Sequence, residues 1–265
     1  DSTWLVPIRL FLAGLILCGF FFIKDRKTLF DPWNIRKNPR NAIDLLVYGL
    51  AGVSCCQFTY FLTIQLSSAG MGTILQDLSP VIILLVVCIQ QRRGPRVFEI
   101  FSILLALVGV ALVVYNGHFI LKISPLGDFL TLLAAFSWAF YSLIMKKMSG
   151  RYRTTFITRK IFFYGILTIL PAFILHPWQF SLSGLWQPAV WMNLLFLGVL
   201  ASLVCFVVWN IILKQLGTVR ASNYIYLNPL FTLIGSAVLL DEQFTVMSLM
   251  GAMLILGGVY WAGKR

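Results

Sequence analysis

Charge is scarce in this chain. Asp, Glu, Lys and Arg make up 11% of its 265 residues, against about 25% in soluble domains, so a surface bathed in water on all sides is excluded. Disorder is excluded as well, because an unstructured chain is poor in apolar side chains and this one is 59% hydrophobic. Histidine is nearly absent: His118 and His176 stand far apart with no companion at metal-ligand spacing, so no metal site is expected. No HExxH, GxSxG or Walker-type loop occurs, and the one deep carboxylate has no histidine beside it. Neither an intramembrane enzyme nor a cofactor is therefore expected. A scaffold subunit would carry a larger soluble domain, whereas the longest loop here is residues 24–42.

What remains is an integral membrane protein. Nine mainly apolar stretches occur: Leu5–Ile23, Ile43–Ile64, Gly70–Ile89, Val97–Tyr115, Asp128–Met145, Phe156–Leu175, Ala189–Leu213, Ala221–Leu240 and Phe244–Ala262. A helix needs roughly 17 to 25 residues to cross a hydrocarbon core of about 30 Å, and barrel strands of about 10 residues do not fit these lengths. The expected fold class is all-α, with nine transmembrane helices. Cys18, Cys55, Cys56, Cys88 and Cys205 all fall inside these stretches and read as small packing residues.

The net charge of +12 is a matter of position. Apart from Arg9 and Lys122, all 21 basic residues fall in or beside alternate loops: Lys24 to Arg40, Arg92 to Arg96, Lys146 to Lys160, Lys214 with Arg220, and Lys264 with Arg265. That alternation marks the cytoplasmic side, so the C-terminus is expected in the cytoplasm and residue 1 outside. The basic residues thus face an anionic leaflet, and no nucleic-acid partner is expected. The expected location is a plasma membrane of the bacterial inner-membrane kind, crossed many times.

The halves of the chain echo each other. A shift of 149 places Pro80 on Pro229, Gly49 on Gly198, Cys56 on Cys205, Gly109 on Gly258 and Val110 on Val259, and keeps three successive span boundaries aligned. The first span has no basic n-region or cleavage site and reads as a mature helix, while the counterpart of the Asp128 span falls before Asp1. The expectation is a ten-helix, five-plus-five arrangement lacking its first helix, with residues 1–115 as the first repeat and 116–265 as the second. An odd number of crossings per repeat inverts one copy relative to the other. Transporters use such inverted repeats around a midplane site.

With these residues in view, the chain resembles the EamA-type group of the drug/metabolite transporter superfamily. The resemblance rests on the ten-helix plan, Ala69–Pro80 (AGMGTILQDLSP), Arg220–Pro229 (RASNYIYLNP), Leu239–Gln243 (LLDEQ), Gly251–Tyr260 (GAMLILGGVY), and Arg9 early in its span. It departs from the family pattern at Gln90–Pro95 (QQRRGP), where an acidic residue is expected, although Glu242 stands in the second half. A two-fold pair of carboxylates is not implied. The resemblance implies export or exchange of small metabolites such as amino acids.

Ionisable groups inside a membrane are costly, which singles out Asp77. Thr73, Gln76 and Pro80 stand at spacings that share its helical face. A hydrated or neutral structural role for Asp77 and a coupling role in proton transfer both stand. Pro80 and Pro229 each remove a backbone donor and are read as kinks or hinges. In the second half Ser222, Asn223, Tyr226 and Asn228 precede Pro229, so hydroxyl and amide groups oppose the Asp77 face, an asymmetry that would orient a zwitterion.

Gln57 and Tyr60, Trp138, Tyr141 and Ser142, and Trp209 and Asn210 complete the set of candidate cavity-lining residues, with ordinary helix packing or interhelical bonding as the alternative for each. Arg9 can snorkel, pair with an acid, or hold an anion. Asp44, Glu99, Asp128, Asp241 and Glu242 stand at span ends and read as helix caps. The function expected is secondary transport or export, by alternating access, of a small polar or amphipathic metabolite. Amino-acid-like solutes are favoured, with Asp77 the candidate for proton coupling. A nucleotide-sugar or sugar-phosphate exchanger is the alternative, less suited because no Lys or Arg pair marks the cavity.

Overall fold

The computed structural model describes residues 69–115, 124–150, 154–175, 188–240 and 245–263, together with Ile16, Cys55, Cys56, Thr59, Thr63 and Leu66. All regular structure among these residues is helical. The helices are α1 (Ala69–Gln76), α2 (Ser79–Gln90), α3 (Val97–Tyr115), α4 (Pro125–Ser149), α5 (Thr154–Leu175), α6 (Pro188–Leu195), α7 (Cys205–Leu216), α8 (Thr218–Asn223), α9 (Asn228–Leu240) and α10 (Val246–Gly263). A π-helical segment, Phe196–Val204, joins α6 to α7, and a 3₁₀ turn, Tyr224–Leu227, joins α8 to α9.

Five of these runs are long and apolar enough to cross a membrane: Gly72–Gln90, Val97–Tyr115, Pro125–Ser149, Val190–Leu216 and Val246–Gly263. With most backbone bonds closed inside helices, they suit the demand that lipid places on a spanning segment. The chain is an all-α, multi-pass membrane protein. The expected spans Leu5–Ile23 and nearly all of Ile43–Ile64 lie outside the described residues.

Helix ends follow local chemistry. The expected cap at Glu99 is present: its carboxylate accepts the Arg96 backbone N–H at 2.8 Å and grips the Arg93 guanidinium through two bonds of 2.9 Å. At α4 the capping side chain is Ser124, whose Oγ accepts the Gly127 N–H at 3.3 Å. Asp128 stands in the first turn of α4, the span-end position expected of it, while the cap bond itself is made by Ser124. Thr245 and Ser248 cap α10 reciprocally, each hydroxyl accepting the other's N–H at 3.1 Å. Asp241, Glu242, Asp44 and Arg9 lie outside the described residues.

The chain divides into two compact units, Asp1–Phe61 with Ile144–Gln215, and Leu62–Leu143 with Leu216–Arg265, so each draws on both halves of the sequence. The second unit is built around α3 and α10, which meet almost backbone to backbone. A Cβ added to Gly109 would lie 2.6 Å from the Gly251 carbonyl oxygen, and one added to Gly258 would lie 2.7 Å from that of Ser102. Gly109 and Ser102 lie later and earlier on α3, while their partners Gly251 and Gly258 lie earlier and later on α10, so the helices run antiparallel. Small residues are what permit this approach in a membrane, where packing, not the hydrophobic effect, joins helices. Leu84, Cys88, Ile103, Ala106, Val110, Val113, Tyr226 and Ile255 form the core around this seam.

The seam is reciprocal. Gly109 meets Gly251 and Ile255, and Gly258 meets Ser102 and Ala106; a shift of 149 converts Gly109, Ser102 and Ala106 into Gly258, Gly251 and Ile255. A contact of i with j matched by one of j with i is the mark of a two-fold relation.

In the first unit, α5 packs on α7 through Phe162 and Phe206, ring centroids 5.4 Å apart and edge to face. Asn210 Nδ2 donates to Thr158 Oγ1 at 2.9 Å in the same contact. At the ends of α4 and α7, Lys146 Nζ donates to the Lys214 carbonyl at 3.0 Å, satisfying a helix C-terminus with a cation.

Candidate functional site

Pro80 and Pro229 govern where the site forms. Neither proline sits mid-helix. Pro80 is in the first turn of α2, after a non-helical turn at Asp77 and Leu78, and Pro229 is the second residue of α9, after the 3₁₀ turn. The reason is covalent: proline donates no N–H and its ring crowds the carbonyl four residues earlier, so the helix restarts where a first-turn proline costs nothing. Leu78 N–H accordingly falls back to the Leu75 carbonyl at 3.2 Å, a 3₁₀ bond, while Asp77 N–H still reaches Thr73 at 2.9 Å. The two interruptions stand 149 residues apart, with Asp77 answering to Tyr226 and Ser79 to Asn228.

Polar side chains gather at these interruptions without being satisfied. Asp77 is 2% exposed and Tyr226 1%, and the two lie within electrostatic range of each other. Asp77 Oδ2, Tyr226 Oη, Gln76 Oε1, Ser79 Oγ and Asn223 Oδ1 are all buried and take part in no hydrogen bond among the described residues. α8 packs on α2, and Tyr226 belongs to a core cluster flanked by Ile74, Val81 and Val219, which brackets Asp77 and brings both interruptions to one place. Buried polar atoms such as these can be met by a ligand or water, because each would otherwise cost a full desolvation; Asp128 Oδ1, Ser142 Oγ and Ser202 Oγ are further examples elsewhere in the described residues. Among the described residues no group of three or more His, Cys, Asp or Glu side chains comes together.

The structure therefore brings together Gln76, Asp77, Pro80 and Tyr226 of the residues singled out by sequence. Thr73 lies one turn before Asp77 on α1 and is half-buried. Asn228 is exposed at the start of α9. Trp138 and Tyr141 pack on each other along α4, centroids 5.3 Å apart, with Tyr141 fully buried. Trp209 and Asn210 belong to the other unit, where Asn210 is engaged by Thr158 in the helix-to-helix bond that was its alternative reading. Gln57 and Tyr60 lie outside the described residues, as do His118, His176 and Cys18.

Three features were not singled out as site or interior residues by sequence. Ser79 joins the cluster and is marked only by preceding Pro80. Arg159, which the charge pattern assigns to the cytoplasmic side, is 6% exposed on α5, its guanidinium 5.4 Å from the Phe156 ring centroid. The π-helical turn before Cys205 has a counterpart at Cys55, one residue before Cys56, the residue that the shift of 149 equates with Cys205. Such turns widen a helix locally and recur at functional positions.

Comparison with known proteins agrees with this architecture. An uncharacterized inner membrane transporter of Salmonella typhimurium, YicL, is 31% identical over 98% of this chain and 84% of its own length. A probable amino-acid metabolite efflux pump of Escherichia coli is 26% identical over 95% of this chain and 84% of its own length. One crystal structure superposes with a TM-score of 0.80 at 18% identity, covering 99% of this chain and 87% of that one, a likeness of fold alone. Matched by the family model over residues 1–115 and 125–263, the chain belongs to the EamA-like transporter family.

Proposed function

We propose that this protein is a secondary transporter that exports or exchanges small polar or amphipathic metabolites, amino-acid-like solutes foremost, by alternating access of two inverted repeats. The repeats fall within residues 1–115 and 116–265 of a ten-helix plan. The reciprocal seam of α3 and α10 supports an axis between them, since antiparallel equivalents related by a two-fold are what an inverted repeat demands. The basic loops support a cytoplasmic C-terminus, and the Salmonella relative's printed name supports a bacterial inner membrane.

The observation that carries the reading is the set of unsatisfied buried oxygens at the two proline interruptions. A solute that passes through must be held by polar groups shielded from lipid, and interrupted helices are where a membrane protein exposes them. Asp77 is the coupling residue in this reading, giving up and regaining a proton in each cycle. The name of the Escherichia coli relative supports amino-acid metabolites as the cargo. A nucleotide-sugar or sugar-phosphate exchanger is less favoured, because the clustered groups at Asp77 and Tyr226 include no Lys or Arg to meet a phosphate.

Solute counterflow in proteoliposomes tests this, with amino acids, nucleotide sugars and sugar phosphates offered in turn. Accumulation of labelled amino acid is the expected result; accumulation of a sugar phosphate alone would reject the solute class, and no accumulation against a working control would reject transport. Asp77→Asn is expected to abolish uphill transport while leaving exchange, and undiminished uphill transport by that variant rejects coupling through Asp77.

A further inference from the structure

The clustered side chains have a chemical bias that the transport reading does not use. Three of the five unsatisfied atoms, Asp77 Oδ2, Gln76 Oε1 and Asn223 Oδ1, are oxygens that accept hydrogen bonds, and the other two, Ser79 Oγ and Tyr226 Oη, are hydroxyls that can also accept. Every other charge on α1, α2, α3 and α8 to α10 within the described residues is accounted for elsewhere: Glu99 is held by Arg93, and Arg220 is exposed. The Asp77 carboxyl thus stands in a buried setting with no basic side chain on α1, α2, α3 or α8 to α10 beside it among the described residues.

We infer that this cluster receives the ammonium group of the transported solute, and that the solute's carboxylate is not what it recognises. A primary ammonium brings one positive charge and three N–H donors, which is the complement of one carboxylate ringed by carbonyl and hydroxyl oxygens. A carboxylate or phosphate in the same place would set a second negative charge beside Asp77. A quaternary ammonium fits poorly too, since it has no N–H to offer the oxygens, and Tyr226 is the one aromatic side chain in the cluster, short of the aromatic cage such cations need. The site consequently selects primary amines, and an amino acid enters it amine first. This rests on the transport reading only in taking the ligand to be the solute.

Binding to the purified full-length protein in detergent tests the inference separately from transport. The probes are sets of three built on one side chain, small, branched or aromatic: the amino acid, the amine left by removing its carboxyl group, and the acid left by removing its amino group. For at least one set the amine is expected to bind within about threefold of the amino acid and the acid roughly tenfold or more weaker, the weight of one charge-assisted hydrogen bond. N-trimethylation of that amine should weaken it to a similar degree. Asp77→Asn should lose amine binding by about tenfold or more, and Tyr226→Phe, the milder change, by a few-fold with an unchanged melting temperature.

Four outcomes overturn the inference: acids that bind as tightly as their amino acids where amines do not, amine binding unchanged in Asp77→Asn, no amine bound in any set, or sodium ions that bind through Asp77 without competition from amines. Absent counterflow with amine binding intact would reject transport and leave this site standing.

Discussion

The seam between α3 and α10 and the proline interruptions beside it make an instructive contrast. Along the seam the close contacts recur under the shift of 149: Gly109 meets Gly251 and Ile255, and Gly258 meets Ser102 and Ala106. At the interruptions the positions are equivalent but the chemistry is not, for Asp77 stands where its counterpart is Tyr226. A packing surface this close tolerates little added volume, because a new Cβ meets the partner helix's backbone. A ligand is not itself two-fold symmetric, so the site that holds it gains by departing from symmetry.

Substitutions can break each side of that contrast. The largest effect is expected at the seam: Gly109→Val or Gly251→Val drives side-chain atoms into the partner's backbone and should cost about 3 kcal/mol or abolish the folded protein. Thermal melting in detergent reads it. Gly235→Ala, with nothing within 4 Å, is the matched control and should leave melting unchanged. Equal losses in all three would dissolve the distinction between seam and helix propensity.

Next in size are the prolines. Pro80→Ala and Pro229→Ala restore a backbone donor and should let each helix run on, slowing turnover by roughly tenfold, about 1.4 kcal/mol on the barrier, with solute binding kept. A matched fall in affinity and rate would point to misfolding in place of a hinge. If only Pro80→Ala slows turnover, the two interruptions differ in motion as well as in chemistry.

Smaller still is Asn210→Ala in the first unit, which removes the bond to Thr158 and should lower stability by about 0.6 to 1.7 kcal/mol with transport intact. A loss of solute affinity in that variant would return Asn210 to the site. Glu99→Gln is expected to have the least effect, a slight fall in melting temperature that vanishes at high salt, since its partner Arg93 is in the loop before α3 and is solvated.

Much of this architecture was legible before any coordinates. Spans such as Val97–Tyr115 announce themselves by length, because lipid forbids an unpaired backbone and the chain answers with a long apolar helix. Asp77 announces itself by cost. Other residues needed the fold to place them. Asn228 reads as a site residue by position, and the structure adds that it is exposed where the 3₁₀ turn Tyr224–Leu227 hands over to α9. Asn210 reads equally well as a ligand group or a helix-to-helix bond, and only the position of Thr158, 52 residues away in sequence, decides between them.

The sequence by itself determined the all-helical, membrane-spanning character of the chain and the residues at which its helices must yield, because hydropathy, charge placement and proline geometry act locally along the chain. Only the tertiary structure decided which polar groups are left without partners. Satisfaction of a hydrogen bond depends on the neighbour that packing supplies: it gave Asn210 a threonine and Glu99 an arginine, and among the described residues it left Gln76, Asp77, Ser79, Asn223 and Tyr226 with buried oxygens still to be met.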